Sequence, residues 1–115
     1  MSPTDSPAIL DGNHLERMTL GDANLAAEVL ALFARQSDEL VRVISAETEG
    51  ANAAAHKLKG SARAIGAFAV ERAVAVYEEA VADRTVSIAA LNRSVGEVNR
   101  AIELYLAKRA LSSVE

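Results

Sequence analysis

The chain has 115 residues, enough for one domain with one modest core. It has no cysteine, which excludes disulfides, thiolate metal sites and cysteine nucleophiles, and its net charge of −4 argues against nucleic-acid binding. Half of the residues are hydrophobic, 24 are alanines and only 3% are aromatic, a composition that favours helices. Charged residues interrupt the apolar runs, so we expect a cytoplasmic protein without a signal peptide or membrane span.

The N-terminal half predicts a leader, a short helix and a long helix. Residues 1–9 contain both prolines and two serines, a composition typical of a flexible leader. A short helix is predicted over residues 11–18. Asp22 then follows Gly21 as an N-cap for a long helix over residues 23–48. The apolar positions of that helix recur at helical spacing: Leu25, Val29, Leu32, Phe33, Leu40, Val43 and Ile44.

Three more helices are predicted after a break at Gly50. The first covers residues 51–66 and stops at Gly66, the second lies between Gly66 and a turn at Asp83, and the third covers residues 86–110. Their expected inward positions are Ala55, Leu58, Ala62 and Ile65, then Val70, Ala73, Val74, Tyr77 and Val81, then Ile88, Leu91, Val95, Val98, Ile102 and Tyr105. The pattern predicts an all-α fold, an antiparallel four-helix bundle with a short additional N-terminal helix, over residues 10–111 with a tail at 112–115. We expect a monomer, because all four long helices have partners.

The second long helix carries the most informative residues. One stripe of it holds, at spacings of three and four, His56, Lys59, Gly60 and Arg63. All charged residues between positions 50 and 70 are basic, so this stripe is a positive spot on an acidic chain. An imidazole nucleophile with cations nearby and a glycine that clears space suits a phosphoryl group arriving from a partner.

The run from His56 to Ala67, His-Lys-Leu-Lys-Gly-Ser-Ala and then Ile-Gly-Ala, resembles a histidine-containing phosphotransfer (HPt) domain. Phe33 in the preceding helix and Glu78 in the following one match further positions of that family, so the resemblance covers roughly residues 10–110. It implies a phosphorelay carrier that accepts a phosphoryl group from a receiver-domain aspartate onto His56 and passes it to another receiver aspartate. The implied partners are receiver domains of response regulators or of a hybrid histidine kinase.

Four residues have expected roles in that chemistry. His56 is the phospho-acceptor through Nε2, which projects furthest from the helix, and Lys59 stabilises the phosphoryl oxygens. Gly60 gives the partner's aspartate pocket access to the imidazole. Glu78 accepts a hydrogen bond from Nδ1–H and orients the imidazole, with Glu79 as the alternative if the helix phase is shifted by one residue.

The other two cations of the helix, Lys57 and Arg63, are expected to dock the acidic receiver pocket. We expect no cofactor in this chain, and we assign Mg²⁺ to the receiver, whose carboxylates can hold it. No glycine-rich nucleotide-binding pattern occurs, so we expect a phosphohistidine carrier without ATP-dependent kinase activity, not an enzyme. The alternative is a helical protein-interaction module without phosphotransfer chemistry, in which the basic stripe is a solvated face.

Two other classes fit less well. The dimerisation domain of a histidine kinase usually has an acidic residue directly after its histidine and a proline a few positions later, whereas Lys57 follows His56 and the prolines stand at positions 3 and 7. A carboxylate-bridged metal bundle needs glutamate three residues before histidine, and neither His14 nor His56 has one. We therefore expect no metal site.

Overall fold

The structure is a computed structural model that describes residues 9–114, and its regular elements in that range are five α-helices. These are α1 Gly12–Met18, α2 Ala23–Ala46, α3 Ala51–Ile65, α4 Phe68–Glu79 and α5 Thr85–Val114. Helices α2 to α5 form a closed ring in which each contacts the next along the chain and α5 returns against α2. Short connections reverse the chain at each step, so the predicted antiparallel four-helix bundle is confirmed.

Local capping explains where the helices begin and end. Asp22 has extended backbone and its carboxylate accepts the Leu25 N–H at 3.0 Å, as predicted for the N-cap of α2. Gly66 ends α3 in the left-handed region at φ +81°, which is the conformation that glycine adopts most easily. The leader predicted at residues 1–9 lies outside the described residues except for its last position. The tail predicted at 112–115 is helical as far as Val114, because α5 continues past the predicted end at 110.

The core consists of the facing stripes of the four long helices. Its fully buried large side chains include Leu30, Ile44, Leu58, Val70, Val74, Tyr77, Leu91, Val98 and Ile102. Two of the apolar residues of α2 that recur at helical spacing, Leu25 and Leu32, are 39% and 43% exposed. The buried stripe of α2 is centred on Leu30 and Phe33, so Leu25 and Leu32 lie at its edge.

The end of α4 also differs from the prediction. The helix stops at Glu79, Ala80 is extended, and Val81 is 97% exposed although it was expected in the core. Arg84 occupies this corner instead: its Nε donates to the Ala80 carbonyl at 2.8 Å, and its guanidinium lies 4.5 Å from the centroid of the Tyr77 ring. This side chain satisfies the carbonyl of the residue that caps the C-terminal end of α4.

The short helix α1 is fixed to the corner between α3 and α4. The Asp11 N–H donates to the Gly66 carbonyl at 3.0 Å, and the ring of His14 meets Phe68 edge-on with centroids 5.1 Å apart. A Cβ atom at Gly66 would lie 3.0 Å from the Asp11 carbonyl oxygen, so space as well as φ requires glycine there. None of the helices between residues 9 and 114 is long and apolar enough to cross a membrane.

Candidate functional site

Helix α3 presents His56 to solvent because its apolar residues face the other way. Ala55, Leu58 and Ala62 are fully buried, and the helical period places His56 and Gly60 on the opposite, exposed side. The imidazole of His56 makes no hydrogen bond to any residue in the part of the chain that the structure describes. The phospho-acceptor predicted from the sequence is therefore an exposed side chain within α3.

Lys59 forms an ion pair with Glu78 beside this histidine. Its Nζ lies 2.6 Å from Glu78 Oε1, and each side chain is 31% exposed. The structure thus places Glu78 on the side of α4 that faces α3, as the sequence indicated. Its carboxylate, however, contacts Lys59 and not the Nδ1 of His56, so the predicted orienting hydrogen bond is not formed here.

The remaining cations of α3 differ in their surroundings. Arg63 donates from Nε to Glu71 Oε2 at 2.5 Å, so it connects α3 to α4 across the corner at Gly66. Its expected docking role therefore requires that it leave, or share, this carboxylate. Lys57 is exposed and has no ion-pair partner among residues 9–114, which leaves its full charge available to another molecule.

Gly60 has no structural reason within the bundle to be a glycine. It lies inside α3 with an ordinary helical φ, and no residue between positions 9 and 114 comes within 4 Å of a Cβ atom added to it. Glycine in a helix interior costs about 1 kcal/mol relative to alanine. A position that gives up helix stability without relieving any internal contact, one turn from an exposed histidine, is the feature expected where another molecule must come close.

Comparison with known proteins identifies the family. The sequence pattern that defines the Hpt domain matches residues 28–108, which include all of α3 and α4. The chain belongs to the Hpt domain family. The crystal structure of the histidine phosphotransferase ShpA from Caulobacter crescentus matches this Hpt domain with a TM-score of 0.76 and 25% sequence identity, covering 94% of this chain and 100% of that chain. A comparison with curated protein sequences finds no match.

The family assignment from the sequence is confirmed, and with it the general role of the chain. Hpt domains are phosphocarriers of phosphorelays and interact with receiver domains. Within residues 9–114 of this Hpt domain, no cluster of three or more histidine, cysteine or acidic side chains could hold a metal ion.

A shallow groove runs beside the stripe on the side of α2, and the sequence did not predict it. The groove is lined by Val29, Leu32, Phe33, Gln36, Ser61, Ala64 and Ile65. Its apolar rim exists because Leu32 lies at the edge of the buried stripe of α2 and not within it. A helical wheel centred on Leu30 and Phe33 would have indicated this position. The exposed face of α3 in this Hpt domain thus has an ion-paired border towards α4 and an apolar border towards α2.

Proposed function

We propose that this Hpt domain accepts a phosphoryl group from a receiver-domain aspartate onto Nε2 of His56 and passes it to the aspartate of a second receiver. The observation that carries the proposal is the exposed imidazole with an unobstructed glycine, Gly60, one turn along the same stripe. A receiver aspartate lies in a pocket, so the acceptor must project towards it from a surface without bulky neighbours. The exposed face of α3 meets this requirement.

The transfer is an in-line displacement at phosphorus. In the tautomer that carries its proton on Nδ1, the lone pair of Nε2 attacks, the Nε2–P bond forms, the P–O bond to the aspartate breaks, and the electron pair leaves with the carboxylate. The second transfer reverses these changes onto another aspartate. Such transition states are loose, so positioning and charge stabilisation supply most of the catalysis. Lys59, one turn from His56, is the side chain that we assign to the phosphoryl oxygens.

The charges of the site suit an acidic partner. A receiver pocket is rich in carboxylates, and we assign Mg²⁺ to that pocket. Lys57 is exposed without an ion-pair partner among the described residues and is the cation best placed to attract such a pocket. Arg63 is held by Glu71, so we assign it a smaller share of docking. No kinase activity is proposed for this chain, and its phosphoryl group comes from the partner.

The test is transfer from a receiver domain carrying a ³²P-labelled aspartyl phosphate. Wild type and His14→Gln should both acquire acid-labile, base-stable label, whereas His56→Gln should acquire none. The His14 variant is the matched control, because His14 is the other of the chain's two histidines and lies in α1 against Phe68. Incubation with labelled ATP alone should leave every variant unlabelled.

Two results would contradict the proposal. Label on His56→Gln would show that another residue is the phospho-acceptor. The absence of label on folded wild type, after mixing with a set of receivers that exchange phosphate with other carriers, would leave a helical interaction module as the function of the chain.

A further inference from the structure

Lys59, the cation that we assign to the phosphoryl group, already forms an ion pair with Glu78. The pair joins α3 to α4 at 2.6 Å, and both side chains are 31% exposed, so solvent screens it less than a pair that stands fully in water. Lysine carries a single compact charge at the end of a flexible chain. While the ammonium of Lys59 lies against the carboxylate of Glu78, that negative charge offsets part of the field of the ammonium at the imidazole one turn away.

A phosphoryl group on His56 changes this balance. It adds close to two negative charges and three strong acceptor oxygens within reach of the same ammonium. The carboxylate of Glu78 then competes with the phosphoryl oxygens for the ammonium of Lys59. Lys59 cannot neutralise both anions fully, so phosphorylation and the ion pair oppose each other.

The bundle allows Lys59 to change partners without moving its helices. Arg63 and Glu71 form a second ion pair between α3 and α4, one turn further along α3. Leu58 and Ala62 are fully buried on the inner side of α3, as are Val74 and Tyr77 on α4. Rotation of the Lys59 side chain away from Glu78 therefore breaks one surface contact and leaves the packing between the two helices in place.

From this geometry we propose that Glu78 is a positioning residue that holds Lys59 away from His56 in the unphosphorylated chain and competes with the phosphoryl group for it, and so limits the stability of the phosphohistidine. This inference rests on the proposed function, since it concerns the phosphorylated form of His56. It replaces the orienting contact with the imidazole that the sequence had suggested for Glu78. Removing the charge of Glu78 should strengthen the hold of Lys59 on the phosphoryl group.

The experiment avoids the receiver, so that it stands apart from the test of phosphotransfer. All variants carry His14→Gln, which leaves His56 as the only histidine, and are phosphorylated with the small-molecule donor phosphoramidate. The pKa of the phosphoryl group is measured by ³¹P NMR, and the phosphohistidine half-life is measured by loss of that signal. Glu78→Gln should lower this pKa by about 0.3 to 0.7 units and lengthen the half-life about two- to fivefold, the range expected for releasing one partly exposed ion pair.

Two further variants separate this role from a structural one. Glu71→Gln breaks the neighbouring α3–α4 ion pair and should leave both quantities at their wild-type values. In a Lys59→Met background, Glu78→Gln should lengthen the half-life no further. Equal pKa values and half-lives for Glu78→Gln and the His14→Gln parent would overturn the inference. An effect of Glu71→Gln as large as that of Glu78→Gln, or an effect of Glu78→Gln that persists in the Lys59→Met background, would also overturn it. Because chemical labelling does not depend on a receiver, these outcomes are independent of whether a receiver transfers phosphate to His56.

Discussion

Replacing Gly60 should separate the stability of the bundle from its ability to exchange phosphate. No described residue comes within 4 Å of a Cβ atom at this position, so alanine introduces no clash, and the glutamine side chain would start from an exposed position. The helix then gains about 0.8 to 1 kcal/mol from the replacement of glycine by alanine, and somewhat less from glutamine. For a domain of this size, about 1 kcal/mol corresponds to a rise in Tm of roughly 4 °C.

Transfer should change in the opposite direction. Side chains at i and i+4 of a helix have their Cβ atoms about 5–6 Å apart. A side chain at position 60 therefore lies in the area around the imidazole of His56 that the receiver has to contact. The reacting atoms must come within about 3–3.5 Å, and a misplacement of about 1 Å can cost on the order of a hundredfold in rate. We therefore expect a small loss for Gly60→Ala and at least a tenfold loss, roughly, for Gly60→Gln.

The assay is the rate of label transfer from a ³²P-receiver in rapid-quench experiments, with thermal melts of the same samples. Gly96 offers a matched control, because it lies within α5, is exposed, and likewise has open space at its Cβ position. Gly96→Ala and Gly96→Gln should raise Tm without changing transfer. A Gly60→Gln protein that transfers at the wild-type rate, or a Gly60→Ala protein that melts below wild type, would refute the reasoning.

Three further predictions concern the bundle itself. Leu58→Ala removes a fully buried side chain from the inner face of α3 and should cost about 2–5 kcal/mol in the free energy of unfolding by urea titration. Asp22→Ala removes the carboxylate that caps the Leu25 N–H and should cost about 1 kcal/mol in the same titration, whereas Asp22→Asn should cost little. Hydrogen bonds from the hydroxyl and N–H of Thr85 lower the pKa of Asp83 from its ordinary value of 3.8. This contribution to stability is therefore present above about pH 4 and is lost as the pH falls through the lowered value; Asp83→Asn should flatten that part of the pH dependence of Tm.

Features that depend on a few neighbouring residues could be predicted from the sequence. Asp22 and Gly66 act through bonds and φ angles within their own turns, and the period of the apolar residues located the core faces of α3 and α5. The end of α4 could not be predicted in this way. It depends on Arg84, which reaches the Ala80 carbonyl and stacks on Tyr77. That arrangement involves a long side chain whose rotamer the apolar period does not reveal.

The same distinction applies to the site. Helical spacing predicts that His56, Lys59 and Gly60 share a stripe, which the resemblance to Hpt domains implies that Glu78 faces from α4. It does not decide which of two side chains on that stripe receives the carboxylate, because both lie within reach of the same turn of α4. The structure pairs Glu78 with Lys59. The exposure of Leu32 was missed for a related reason: it lies at the boundary of the buried stripe, where small rotations of α2 decide between core and surface.

The open position of His56 also has a kinetic consequence for a carrier with one acceptor. The imidazole lies on the exposed face of α3, so under the proposed function each receiver must cover that face in order to react. Two receivers cannot cover it together. Donor and recipient therefore take turns, and the first must leave before the second can arrive. Dissociation of the donor is then a required step in the flow of phosphate, and a partner that bound the face around His56 very tightly would slow that flow.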